Sequence, residues 1–174
     1  MIEGSDMKIK LVLPGPTYWK SYLDSFYDID REGDVKGMNW DGLSTPEQFF
    51  KDVLDMKEGR NLGPLVPCTN FWIIYEDEYC GRMSIRHELN DFLRLFGGHI
   101  GYEVKPSARK KGIATKALSL ALDYCRDELH LHDLLLTCAD DNFGSIKTIK
   151  KNGGTLIEKR TSEDRVSRFY QIKI

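Results

Sequence analysis

Hydrophobic and polar positions alternate with changing period along the chain, and each change of period marks an element. Lys8 to Leu13 sets Ile9, Leu11 and Leu13 against polar neighbours, which predicts a strand ended by Pro14-Gly15-Pro16. From Thr17 to Arg31, Tyr18, Tyr22, Leu23, Phe26 and Tyr27 fall at helical spacing. Gly33 to Leu43 predicts a loop. Ser44-Thr45-Pro46-Glu47 is a helix start, with a hydroxyl cap, proline in the first turn and an acid at the positive end of the helix. That helix carries Phe49, Phe50, Val53, Leu54 and Met56 and closes at Gly59, followed by a loop over 61–70. Phe71 to Tyr75 and Tyr79 to Leu89 predict an antiparallel hairpin across Glu76-Asp77-Glu78, and Asn90 to Phe96 a short turn or helical piece.

His99 to Lys105 returns to strand periodicity through Ile100, Tyr102 and Val104, and Pro106 stops it. A helix follows from Ile113 to about His130, then a compact strand, Leu134 to Ala139. Asp140-Asp141-Asn142 caps a helix over Phe143–Asn152, which ends at Gly153-Gly154. Thr155–Arg160 and Val166–Ile174 predict a last hairpin. The order is β-α-α-β-β-β-α-β-α-β-β, an α/β or α+β domain over residues 8–174, with residues 1–7 read as a leader or a cloning remnant.

Between the central strand and the long helix, Arg109-Lys110-Lys111-Gly112-Ile113-Ala114 puts three cations and a glycine at a helix mouth. A helix N-terminus has outward N–H groups and partial positive charge, and Gly112 and Ala114 let a ligand approach the backbone, so the turn suits an anion such as a pyrophosphate. The alternative is a solvated basic turn. The formal net charge of the chain is −2, so its overall charge favours neither nucleic acid nor an anionic membrane, and the cations stand out as a local device. No apolar run reaches the roughly 18 residues of a membrane-spanning helix, and the N-terminus lacks a signal-peptide core. Cys68, Cys80, Cys125 and Cys138 show no metal-type spacing; Cys125 and Cys138 read as buried thiols, and a reducing cytoplasm is the consistent compartment.

Val104-Lys105-Pro106-Ser107-Ala108-Arg109-Lys110-Lys111-Gly112-Ile113-Ala114 resembles motif A of the GNAT superfamily of acyl-CoA-dependent N-acyltransferases, V-x-P-x-x-[RQ]-x-x-G-x-[GA]. Asn142-Phe143-Gly144-Ser145 with Lys151-Asn152-Gly153-Gly154 is similar to that family's motif B, and the element order matches. Arg86-His87-Glu88-Leu89-Asn90 and Gly97 to Tyr102 resemble segments of an uncharacterised bacterial branch of predicted acetyltransferases. The resemblance implies a mixed, mostly antiparallel sheet of six to seven strands flanked by about four helices. It also implies acetyl-CoA as acyl donor, an amine acceptor, no metal, and a possible homodimer.

By this resemblance, pantetheine lies where the strand 99–105 splays from the strand 134–139, next to Val104 and Lys105, and the Val104 amide or one nearby stabilises the oxyanion. Backbone N–H groups from Arg109 through Lys110, Lys111, Gly112 and Ile113 to Ala114 take the pyrophosphate, with Thr115 close by and Asn142 and Ser145 on the CoA side; helix capping is the alternative for Asn142.

A base is useful because the amine must lose a proton, and three residues qualify. His99 and Glu103 share a strand face, and His87 lies on the neighbouring strand; a purely structural role is the alternative for each histidine. Arg86 and Glu88 either bind polar groups of the substrate or pair on the sheet. Acceptor contacts fall in the first two helices and in 59–70, where Trp40, Tyr22, Tyr27, Asp24 and Asp28 are available. Many family members carry a tyrosine seven residues after the motif B asparagine, where it protonates the leaving thiolate; here that position is Ile149. Ser145 is near in sequence but is a poor acid. Two other readings therefore stand beside the enzyme: a non-catalytic acetyl-CoA-binding module, and a nucleotide site at the basic turn.

Overall fold

In the computed structural model, residues 2–3, 8–30, 42, 44–162 and 165–174 are described, and among them the chain forms two antiparallel sheets and four α-helices. The first sheet runs β1 (Ile2–Glu3), β2 (Ile9–Val12), β3 (Cys68–Tyr75), β4 (Glu78–Arg86) and β5 (Ile100–Val104) in spatial order. The second contains β6 (Asp133–Ala139), β7 (Thr155–Ser162) and β8 (Arg165–Lys173) in the order β6-β8-β7. The helices are α1 (Trp19–Asp30), α2 (Pro46–Lys57), α3 (Ile113–Asp127) and α4 (Phe143–Lys151). Trp40, most of the loop 33–43 and the side chains of Tyr27 and Asp28 lie outside the described residues. Ile2 and Glu3, in the stretch read as a leader, pair with Leu11 and Lys10.

Local chemistry accounts for the boundaries. Thr45 Oγ1 accepts from the Gln48 N–H at 3.2 Å, so the predicted start of α2 forms with Thr45 as its cap and Pro46 behind it. The β3–β4 turn is tight because Glu76 and Asp77 both adopt positive φ, 52° and 61°, whose twist matches paired strands. β3 begins at Cys68 rather than Phe71, since Cys68 and Thr69 register with Arg86 and Ile85. β4 stops at Arg86, short of the expected Leu89, where the His87 N–H turns to the Pro67 carbonyl at 2.9 Å.

The sheets bury two different faces. Ile9, Leu11, Ile73, Met83 and Ile85 pack with Ile113, Leu118 and Ala121 of α3, Ile149 of α4 and Tyr170 of β8. Each large side chain so removed from water contributes about 1.5–3 kcal/mol. On the opposite face of the first sheet, Val12, Trp72, Ile74 and Tyr79 meet Tyr22 and are covered by Trp19, Phe49 and Phe50. Tyr22 stacks on Trp72 with centroids 4.6 Å apart, and this aromatic cluster holds α1 and α2 over the sheet. Tyr22 is therefore core, not acceptor contact. Cys125 is fully buried as expected, but Cys138, near the end of β6, is only half-buried.

Candidate active site

The expected sheet divides between β5 and β6, and the division makes the site. The two strands meet where the His99 N–H donates to the Leu135 carbonyl at 2.7 Å, beside an isolated bridge between Gly98 and Leu136. Gly98 is required there: its φ is +66°, and an added Cβ would fall 2.5 Å from the Leu135 carbonyl oxygen. Beyond this contact β5 pairs only with β4. Arg86 donates its N–H to the His99 carbonyl and Lys105 donates to the Cys80 carbonyl, each at 2.8 Å. Strand alternation then turns the main-chain groups of Gly101 and Glu103 to β4 and those of Tyr102 and Val104 to the open side.

That open side leads into a cleft of 410 Å³ bounded by Tyr102, Glu103 and Val104 on β5, Arg109 and Ala114 at the turn, and Asn142, Gly144 and Ser145 at the start of α4. The basic turn frames one end. Pro106–Ala108 forms one 3₁₀ turn, Lys110 takes φ 64°, and Gly112 takes φ 80° as the residue before α3. Ala108 and Ile113 are buried and pin the turn, while Arg109, Lys110, Lys111 and Gly112 are exposed. Gly112 has no side chain to cap α3, and a Cβ on it would meet nothing within 4 Å, so the space beside the helix start is open. The Arg109 Nε donates to the Val104 carbonyl at 3.0 Å, closing the turn back on β5.

The other wall is the first turn of α4. Asn142 Oδ1 accepts from the Ser145 N–H at 3.0 Å, so Asn142 is a helix cap while also lining the cleft. Thr115 faces α4 through Thr148, with hydroxyls 3.5 Å apart, and its carbonyl accepts from the Asn152 amide at 3.1 Å. Thr115 thus ties α3 to α4. A diphosphate with an extended thiol arm fits this arrangement: an open helix start among cations at one end, and an edge of β5 with no strand partner among the described residues along the cleft.

The three candidate bases are placed very differently. His99 Nδ1 accepts from the Leu135 N–H at 2.9 Å, so the ring supplies the bond a sheet partner would otherwise make. Burial holds its pKa below the usual imidazole value. His87 lies on the face covered by α3. Its Nε2 is 2.8 Å from Thr69 Oγ1, which in turn is 3.1 Å from the Tyr124 hydroxyl, and burial lowers its pKa too. Neither ring borders the cleft. Glu103 does, and its carboxylate accepts from Arg82 Nε at 3.2 Å with both side chains about one-quarter exposed. Arg86 donates to the Gly98 carbonyl at 3.1 Å and so braces the β5–β6 junction, while Glu88 is exposed in the bend beyond β4.

Arg82 also borders a second cavity, of 190 Å³, between α2 and the first sheet. Its walls are largely apolar, with Phe49, Val53, Met56 and Trp72; Asp52 stands on the α2 side, and Asn70 and Ser84, hydrogen-bonded at 2.7 Å, stand on the sheet. Sequence patterning pointed to neither Arg82 nor Tyr102. Arg82 faces solvent in the alternation of β4, and Tyr102 falls on the alternate positions of β5 that read as core. Among the described residues, no group of three or more His, Cys, Asp or Glu side chains is placed to hold a metal, and no helix is long and apolar enough to cross a membrane.

A split sheet with a basic helix mouth beside the gap defines an acyl-CoA-dependent acetyltransferase. The GNAT acetyltransferase domain model matches residues 21–155, and the chain belongs to that family. It is 35% identical over 130 residues to the uncharacterized N-acetyltransferase YnaD of Bacillus subtilis (strain 168), covering 73% of this chain and 69% of that protein. The microcin C7 self-immunity acetyltransferase MccE, solved with acetyl-CoA and AMP, superposes with a TM-score of 0.65 at 18% identity, over 98% of this chain and 94% of its own. The ribosomal L7/L12 α-N-protein acetyltransferase RimL, solved with coenzyme A, superposes with a TM-score of 0.67 at 16% identity, over 99% and 97%. The expected enzyme class and donor are therefore borne out, and nothing supports the binding-only alternative.

Proposed function

We propose that the gap between β5 and β6 holds acetyl-CoA and that the acceptor is a primary amine whose apolar body enters the cavity beneath α2. The observation that carries this reading is the Arg82–Glu103 ion pair: Glu103 borders the cleft, Arg82 borders the apolar cavity, and the pair joins them. Main-chain N–H groups over 109–114 take the diphosphate, with Lys105, Lys110 and Lys111 adding charge. Thr115 supports this end through α4, and Asn142 and Ser145 form the facing wall. The main-chain groups of Tyr102 pair with the arm, while the Val104 carbonyl stays with Arg109 and the Val104 N–H meets the oxyanion. Bound acetyl-CoA supplies the acyl group as a thioester. Glu103 accepts the amine proton directly or through water, in preference to His99 and His87, whose rings are engaged in the sheet.

The apolar walls and the single acid, Asp52, favour a compact amine over a long peptide. All four cysteines are free thiols, which supports a cytoplasmic setting. A homodimer through the last hairpin belongs to the same reading, because β7 is the sheet's outer strand and leaves Leu156 and Ile157 exposed. Release of free CoA thiol is measured across a panel of aliphatic amines, aromatic amines, polyamines and N-terminal peptides. Compact apolar amines should turn over best. Glu103→Gln should lower kcat/KM on the best of them by about 100-fold, within the usual range for losing a general base. Preference for the peptides, or an unchanged rate in the variant, refutes this assignment.

A further inference from the structure

Ile149 stands where many relatives offer a phenol to the leaving thiolate, and here that position cannot serve. It is 1% exposed, and a Cβ on Gly154 would come within 2.3 Å of Ile149 Cγ2, so the side chain is turned into the core beneath the helix end. A different phenol reaches the cleft from the opposite wall. Tyr102 lies on β5, two residues before Val104, and lines the cleft. Its hydroxyl lies 3.5 Å from the Ser145 carbonyl on α4, so the side chain spans from one wall to the other.

We propose that Tyr102 is the hydrogen-bond donor to the sulfur that departs in acetyl transfer, taking the place of the absent helical tyrosine. This rests on the donor lying in the β5–β6 gap. The hydroxyl also has the Thr148 side chain as a hydrogen-bond partner; with Thr148 left in place, the weak 3.5 Å contact to Ser145 is readily exchanged for a charge-assisted bond to sulfur, because a thiolate is a far better acceptor for a phenol than a distant carbonyl.

Burial pushes the phenol up to about 12, so it stays protonated throughout the working pH range and remains a donor. It does not surrender the proton. Against a thiol of ordinary pKa near 8.5, full transfer from such a phenol would run about three thousandfold uphill. The amine nitrogen forms the new C–N bond, the C–S bond breaks with its electron pair left on sulfur, and Tyr102 stabilises that anion. The amine proton goes to Glu103 or water, and the thiolate later takes its proton from water.

The test uses Tyr102→Phe in the full chain. The binding constant for acetyl-CoA should stay within about threefold, while kcat falls by about tenfold, the factor that corresponds to one pKa unit of lost thiolate stabilisation. The non-kinetic readout is the titration of the bound CoA thiol, followed by thiolate ultraviolet absorbance. In the variant its pKa should rise by about one unit, the equivalent of a tenfold loss of thiolate stabilisation. A fluorinated, more acidic tyrosine placed at position 102 should move that titration the opposite way. Unchanged kcat and unchanged thiol titration in a variant that still binds CoA overturn the role of Tyr102. If Gly112→Asp leaves CoA binding intact, the donor lies elsewhere, and the reading of the gap fails before the role of Tyr102 is reached.

Discussion

Gly112→Asp tests the basic turn, and the structure separates its possible effects. Gly112 sits at φ +80° just before α3, where any side chain carries roughly 1–2 kcal/mol of strain. That strain is present with and without ligand, so it lowers the melting temperature by about 2–4 °C per kcal/mol and cancels from the binding constant. An added Cβ meets nothing within 4 Å, so the fold is not crowded. What remains is crowding of the ligand, common to any side chain placed there, and charge, which belongs to Asp alone. One like-charge pair at about 4 Å costs from about 1 kcal/mol at the dielectric of water to about 4 kcal/mol at an effective value of 20. Gly112 is exposed, which places the penalty near 2 kcal/mol, about thirtyfold in affinity. Gly112→Ala carries the same strain and puts the same Cβ into the space left for the diphosphate, without the charge, so it should bind CoA more weakly than the parent but more tightly than the Asp variant. Calorimetric titration of CoA into the three proteins, repeated at high salt, resolves this, since screening should shrink the Asp effect and leave the Ala result unmoved. An Asp variant that binds CoA within threefold of the Ala variant would refute the diphosphate assignment.

Two further outcomes bear on the scaffold. Gly154→Ala puts a Cβ 2.3 Å from Ile149 Cγ2 and 2.9 Å from the Ile149 carbonyl oxygen, so overpacking should cost about 1–3 kcal/mol, read as a lowered urea midpoint; no change would mean that the end of α4 yields freely. Burial keeps the pKa of His99 below its ordinary 6.5, so between the folded and unfolded values the unfolded chain binds more protons. Stability from this site is complete above about 6.5 and is lost as pH falls through the folded value; His99→Gln should flatten that loss in urea unfolding across the acid range, leaving the like-signed contribution of His87.

Elements set by local chemistry were legible in the residues alone. The cap and proline at Thr45-Pro46 start α2, the cations and Gly112 open α3, and Gly153 with φ +84° ends α4. Strand ends were less legible because partners decide them. Thr69 joins β3 by registering with Ile85, and β4 ends because the His87 N–H finds Pro67. The catalytic candidates failed to separate for the same reason. Alternation set His99 and Glu103 on one strand face, but β5 begins at Ile100, and only the divergence of β5 from β6 shows that the His99 ring is spent on the Leu135 N–H. The register of β5 on β4 also faces the backbone of Tyr102 toward the gap, and the span to Ser145 places its phenol across the cleft. A motif scan assigns the acid to a fixed distance from Asn142 and finds Ile149. The chemistry asks only for a donor at the cleft, and a residue on the facing strand meets that need without any fixed spacing from the motif.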